Sequence, residues 1–330
     1  MLHQRIITWV VLGAVALAPL AGVVAQQQPA TTPSREEFRE EFHQSYPLSP
    51  TGRVSLENIN GSVRITGWER NEVKLDAVKR SHTRERLAEA EIRVETTADA
   101  LRIKTRYPER SFIQDGNGRR YEDPASVDYT LTVPRGARLE GIALINGSLD
   151  IEGVNGDVHG SSINGRVTAR GLTARTKLST VNGTTEAVFT QLGEPGVVEL
   201  SSVNGAVQVT IPSDANAEVK ANTVHGQITN DFGLPVRRGR FVGRDLAGVL
   251  GRGGTLLRLS NVNGTVRITR ANDGKQQSTV RNLLSEARAD DEDEPEGPDE
   301  VEIGPGEVSA EVNREVAREV AKAQREAERE

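Results

Sequence analysis

Along most of this chain apolar and polar residues alternate with a period of two. Val73-Lys74-Leu75-Asp76-Ala77-Val78, Ile92-Arg93-Val94, Leu101-Arg102-Ile103 and Tyr129-Thr130-Leu131-Thr132-Val133 each predict a strand with one buried face. A short helix is expected over 83–91. One tripeptide, Val/Ile-Asn-Gly, interrupts the alternation. Its copies end at Asn60-Gly61, Asn146-Gly147, Asn155-Gly156, Asn164-Gly165, Asn182-Gly183, Asn204-Gly205 and Asn263-Gly264, with His225-Gly226 as a variant. The apolar member falls at 145, 154, 163 and 181, all multiples of nine apart, and Leu172 fills the vacant slot. Short units rich in Val, Ile and Thr and bounded by glycine are strand-plus-turn repeats, not helical ones.

Asn-Gly ordinarily closes a two-residue hairpin. Here the residue before Asn is apolar, the residue after Gly is polar or small, and the next is mostly apolar again, as in Ile145, Ser148 and Leu149. A hairpin would set the two apolar positions on opposite faces, whereas a corner can point both inward. The pattern therefore predicts an all-β fold: a β-solenoid of short stacked strands with Asn-Gly at the corners. The residue two before Asn is often small and polar: Asn58, Ser162, Thr180, Ser202, Thr223 and Asn261. Stacked in register, these and the corner Asn residues are expected to form ladders that satisfy backbone groups at the bends. The corner glycines are expected to be needed for positive φ.

These units set the organisation. Arg5, the apolar run from Ile6 to Leu17, and Val23-Val24-Ala25 before Gln26 predict a signal peptide over 1–25. The alternative is an uncleaved anchor, against which Pro19 and Gly22 argue. Residues 26–50 read as a linker and 51–270 as the solenoid. Its part from 69 to 140 is irregular and strand-rich, with an exposed loop over 108–125. Ser62-Val63-Arg64-Ile65-Thr66 nearly matches Thr265-Val266-Arg267-Ile268-Thr269, so similar units are expected to bracket the body. Residues 271–306 read as disordered, because 290–303 hold nine acidic residues and no basic one. Residues 307–330 read as a charged helix with a narrow stripe of Val308, Val312, Val316 and Val320, either solvated or engaging a protein partner.

Composition narrows the chemistry. The chain has no cysteine, which excludes disulfides, thiolate metal sites and lipidation at cysteine. Aromatic residues are 4%, so the core must be built from aliphatic side chains. Net charge is −6, but residues 281–330 alone hold 17 acidic and 7 basic side chains, so the acidity belongs to the tail. Within the body, Arg237, Arg238, Arg240 and Arg244, followed by Arg252, Arg258, Arg267 and Arg270, face a single acid, Asp245. The four leading arginines are a candidate anion patch, for an envelope polysaccharide, a lipid phosphate or the chain's own acidic segment. Nucleic acid is not expected, since no aromatic stacking groups accompany the patch.

No catalytic, cofactor-binding or metal-ligating set emerges. His225 occupies a corner slot and His159 reads as a surface residue. The glycines of Gly248–Thr255 have phosphate-loop spacing, but Gly254 stands where the lysine is required, so they read as a flexible insertion. Asp150, Glu152 and Asp157 could line a polysaccharide-cleaving face, although solvated surface charge explains them more simply.

The string Val203-Asn204-Gly205-Ala206-Val207, the segment from Val127 to Glu140 and the lack of cysteine together resemble the bacterial "putative adhesin" domain of unknown function. The resemblance covers roughly residues 50–270. It implies a β-solenoid in the cell envelope and carries no catalytic residues with it. The expected function is a non-enzymatic, exported binding, adhesion or scaffold module for polysaccharide or protein, periplasmic or at the cell surface. The alternative is an envelope-stress sensory module acting through the tail; a polysaccharide-active β-helix enzyme is a third.

Overall fold

In the computed structural model, which describes residues 37–108, 124–193, 195–239 and 242–284, the alternating segments form two large sheets. The regular part runs through β8 (Arg138–Asn146), β9 (Leu149–Glu152), β10 (Val158–Asn164), β11 (Val167–Leu172), β12 (Thr176–Asn182), β13 (Thr185–Phe189), β14 (Gly196–Asn204) and β15 (Val207–Ile211). Even-numbered members lie side by side in a twelve-stranded sheet and odd-numbered members in a ten-stranded sheet. The chain thus crosses from one sheet to the other at every turn. Its neighbours within a sheet are parallel and in register, Asn146 beside Asn164, Asn182 and Asn204 in succession. Neither sheet closes on itself.

The true period is therefore two strands. Nine residues is half of it, and Asn146, Asn164 and Asn182 are 18 apart. Val154-Asn155-Gly156, halfway along, sits at the opposite corner, where the chain returns to the twelve-stranded sheet. Buried aliphatic residues from both sheets form one core, including Ile142, Leu178 and Leu200 from one and Leu149, Val167 and Val209 from the other. At Gly160 a side chain would meet Leu149 and Leu178, so the small residue there makes room for larger neighbours.

Val154 is buried in the core as expected, but the residue before every other corner Asn, and before His225, departs from the inward expectation. Ile59, Ile145, Ile163, Val181, Val203, Val224 and Val262 are half-buried on the outer face, while Asn58, Leu144, Ser162, Thr180, Ser202, Thr223 and Asn261 beside them are buried. Strand alternation runs unbroken up to the Asn, so the position preceding a buried residue's neighbour must face out. Ile and Val stack there on their own kind across the sheet.

Chain order and spatial order part at both ends. β2 (Arg53–Asn60) and β3 (Val63–Trp68) form the first unit, yet β6 (Ala100–Arg106) lies outside β2 and β7 (Ser126–Pro134) outside β3. Beyond these, β5 (Glu91–Thr96), β4 (Glu72–Ser81) and β1 (Phe38–Pro47) pair antiparallel and cover the edges. At the other end β20 (Thr255–Asn263) and β21 (Val266–Arg270) are the last unit in sequence. β20 inserts between β14 and β16 (Ala217–His225), and β21 pairs with β15 and with β17 (Ile228–Asn230). The matching units of the sequence thus lie inside both ends of the sheets, not at the ends.

Several boundaries shift. β1 occupies much of the expected linker over 26–50, because Phe42 and Tyr46 pack on the core. Gly248 lies inside β19 (Arg244–Leu250), which pairs antiparallel with β16, and only 251–254 turn, so the expected flexible insertion is a hairpin arm. Residues 271–284, expected disordered, carry β22 (Val280–Asn282) on β19, and the Ser278 hydroxyl donates to Ala215 carbonyl at 2.7 Å. The helix α1 spans Arg84–Glu89 with Thr83 as its N-cap. The signal segment, most of the loop at 108–125, the rest of the acidic segment and the charged helix at 307–330 lie outside the described residues.

Candidate functional site: the Asn-Gly corner and the face beside it

Each corner is built by three columns of side chains that run across the units. The outermost is a chain of amides. Asn146 Nδ2 donates to Asn60 Oδ1 at 2.9 Å, Asn164 to Asn146 at 2.8 Å and Asn182 to Asn164 at 2.8 Å. Asn204 donates to Asn182 at 3.0 Å and Asn263 to Asn204 at 2.9 Å. His225 stands next in register, beside Asn263. An amide suits this column because it donates and accepts in opposite directions, so identical residues can chain indefinitely.

The second column is glycine. Only Gly61, Gly205 and Gly264 have positive φ, at 116°, 149° and 153°. What all of them share is closeness. A Cβ on Gly147 would land on the carbonyl oxygen of Gly61, one on Gly165 on that of Gly147, and one on Gly183 on that of Gly165. The same holds from Gly205 to Gly183, from Gly264 to Gly205 and from Gly226 to Gly264. Most of these glycines are required by close approach of backbones, not by the positive φ the tripeptide leads one to expect.

The third column is buried and polar, and it caps those same carbonyls. Ser162 Oγ donates to Gly147 carbonyl, Thr180 Oγ1 to Gly165 and Ser202 Oγ to Gly183, each at 2.9 Å. Asn261 Nδ2 reaches Gly205 at 2.7 Å and Thr223 Oγ1 reaches Gly264 at 3.1 Å. In β8 the slot holds Leu144, which cannot donate. Asn58 compensates: its amide reaches both Gly61 and Val127 carbonyls, at 3.1 and 2.9 Å. Its Oδ1 accepts from Thr105 Oγ1 at 2.9 Å, which contacts the Tyr129 hydroxyl at 2.7 Å. Burial pushes the Tyr129 phenol well above its ordinary range.

Asn155 is outside the amide column. Its backbone N–H donates to Arg135 carbonyl at 2.7 Å, and its own carbonyl accepts from Thr173 at 3.4 Å.

The outer face of the twelve-stranded sheet continues the regularity. Beside the Ile/Val column runs Ala143, Ser161, Ser179, Ser201, Ser260 and Asn222 in register, ending against Asp245 of β19. Neighbouring members are one strand apart, about 4.8 Å. The Oδ1 of Asn222 is buried without a partner. Next out is a charged column of His159, Lys177, Glu199, Arg258 and Lys220, in which Arg258 pairs with Glu199 at 3.2 Å. The serine column was legible as the third residue before Asn164, Asn182, Asn204 and Asn263, but only the period of two strands shows that those serines adjoin.

The arginine patch is partly neutralised. Arg237, on β18 (Arg237–Arg238), pairs with Asp245 at 2.9 Å, and Arg244 Nη1 donates to Gly226 carbonyl. Arg238 is exposed, and Arg240 lies outside the described residues. Asp150 and Glu152 line the ten-stranded sheet, whereas Asp157 pairs with Arg175 at 2.5 Å by the opposite corner. No group of three metal-ligating side chains comes together among the described residues, and no described helix is long and apolar enough to cross a membrane.

No protein-family model matches the chain, and no curated protein does. Several solved structures align with it. A putative cell adhesion protein from Clostridium sporogenes is 14% identical, with a TM-score of 0.43, over 72% of this chain and 100% of its own. A putative adhesin from Bacteroides fragilis is 13% identical at a TM-score of 0.31, over 72% and 99%. A putative lipid binding protein from Parabacteroides distasonis is 10% identical at 0.28, over 70% and 97%. These names are consistent with the resemblance drawn from the Val-Asn-Gly units. Likenesses this distant do not bear on function.

Proposed function

We propose that the body is a two-sheet β-solenoid of the adhesin type, exported to the cell envelope, and that it binds rather than catalyses. Its binding surface is the outer face of the twelve-stranded sheet, and its ligand an extended polysaccharide. The observation that carries this reading is the pair of columns Ser161, Ser179, Ser201, Ser260 and Ile163, Val181, Val203, Val262. They offer hydroxyl and aliphatic contacts repeated at one strand spacing, about 4.8 Å, with Ser260 set deepest. Sugars present the same alternation of hydroxyl edges and apolar faces, and a repeating array gains affinity by repetition. The corner residues serve structure, not ligand.

The test is retention of the purified chain on insoluble polysaccharides: peptidoglycan, chitin and a glucan. Ser179→Lys and Ser201→Lys place a long cation in the middle of the serine column. Retention on the preferred polymer should fall about tenfold or more, with unchanged melting temperature. Retention equal to the parent's on every polymer would sink the reading.

A second reading, action through the acidic tail, has its own support. β22 and β18 lie along the same edge of β19, and Leu283 N–H donates to Ala247 carbonyl at 3.1 Å. The described chain thus runs along this edge toward Arg237 and Arg238 as it reaches Leu284. If the tail screens this patch, a chain ending at 284 should bind anionic vesicles at low salt more tightly than the full chain does.

A further inference from the structure

We infer that Asn155 is a site of spontaneous covalent modification, a slow deamidation that the amide column suppresses at the other corner Asn-Gly pairs. The reaction is intrinsic to Asn-Gly. The backbone nitrogen of the glycine loses its proton and attacks Asn Cγ. A nitrogen–carbon bond forms, the Cγ–Nδ2 bond breaks and ammonia leaves, giving a five-membered succinimide. Water then opens the ring at either carbonyl to aspartate or isoaspartate. No oxidant or cofactor is needed.

The step requires a glycine N–H that is free and an Asn side chain that can swing onto it. Six pairs are denied both. Gly61 N–H donates to Asn146 carbonyl at 2.9 Å, Gly147 to Asn164 at 3.0 Å and Gly165 to Asn182 at 3.1 Å. Gly183 donates to Asn204 at 2.9 Å, Gly205 to Asn263 at 3.1 Å and Gly264 to His225 at 2.9 Å. The six side chains are themselves linked into the amide column. Attack would have to break backbone and side-chain hydrogen bonds together.

Asn155-Gly156 is different. The Asn155 side chain is exposed and has no hydrogen-bond partner among the described residues, and neither has the Gly156 N–H. The pair lies at the opposite corner, next to Asp157 and its partner Arg175. Modification there adds a negative charge beside that ion pair, and the isoaspartate form lengthens the backbone by one atom at the bend. Asn117-Gly118 lies outside the described residues and would be scored separately.

The test is peptide mapping with isoaspartate detection after incubating the folded full chain in mildly alkaline buffer, alongside the same chain unfolded in urea. In urea all Asn-Gly pairs should react at similar rates. In the folded chain Asn155 should react about tenfold or more faster than any of the six column pairs, because only they must first break hydrogen bonds. Asn155→Gln should abolish the product at that position while leaving the other six as slow as before. Equal rates at Asn155 and the column pairs in the folded chain would overturn the inference. So would a folded chain in which Asn155 stays intact for as long as they do.

Discussion

Each two-strand unit turns twice, and its two corners use glycine for opposite reasons. At the Asn-Gly corner Gly147, Gly165 and Gly183 lack positive φ, but each is packed so closely on the next that no Cβ fits. At the opposite corner Gly153 and Gly171 have φ of 66° and 71°, and nothing nearer than 3.4 Å would meet a Cβ on either, whereas Gly156 there is held by close approach to Ala137 carbonyl. One corner is tight along its whole column and locked by hydrogen bonds; the other is bent, and roomy at Gly153 and Gly171. The difference governs where the chain varies. The extra residues that lengthen the step from Asn182 to Asn204 fall between β13 and β14, at the roomy corner, as does the turn at 251–254. A column of interlocked carbonyls and amides admits no insertion, because one added residue would break contacts with the units on both sides.

Three pairs of substitutions probe this comparison, and the largest effect should come from glycine. Gly183→Ala drives a methyl into the Gly165 carbonyl in the middle of the column, where backbone cannot yield on either side. A loss of about 3 kcal/mol or more, or failure to fold, is expected in urea denaturation. Gly171→Ala strains only its own φ and should cost about 1–2 kcal/mol. Equal costs would remove the distinction between the corners.

Charge in the amide column should matter less but reveal direction. Asn182→Asp can accept from Asn204 but, ionised, cannot donate to Asn164, and two oxygens then face each other. We expect a loss of about 1–3 kcal/mol at pH 7. The folded state should hold this carboxyl protonated more firmly than the unfolded chain does, so its folded pKa is raised. Stability should therefore match the parent most nearly below the unfolded value of about 3.9, and fall away as pH rises through the folded pKa. Asn155→Asp, outside the column, should change stability by no more than about 0.5 kcal/mol and show no such pH dependence.

The smallest contrast concerns hydroxyls. Thr180→Val leaves the Gly165 carbonyl buried without its cap and should cost about 1–2 kcal/mol. Thr190 makes a similar bond to Leu172 carbonyl at 3.3 Å, but at an exposed position of the roomy corner, so Thr190→Val should cost about 0.5 kcal/mol or less. Thermal melts of the two variants side by side would show whether burial or the bond itself decides.

Much of this is readable from local pattern. Alternation marks the strands because a half-buried sheet demands it, and the small polar residues two before Asn announce a buried need for hydrogen bonds at each bend. The candidate face was also spelled out, since serine recurs three before Asn at 161, 179, 201 and 260. Its meaning was hidden, because adjacency across a parallel sheet depends on the period, and nine residues read as a unit place Asn155 in the wrong column. The inward assignment of Ile145 and its equivalents failed for a related reason: apolar residues on an outer face stack on one another and look like core.

The sequence by itself determined that this is an all-β chain of repeated corners, with an aliphatic core and an acidic tail set apart from its body. Those properties are local: side-chain period, turn chemistry and charge count are each settled within a few residues. Only the tertiary structure decided which corners share a column, why their glycines are needed, and that the last unit in sequence inserts between two earlier ones. Those depend on what the backbone meets several strands away, and no window along the chain contains both partners.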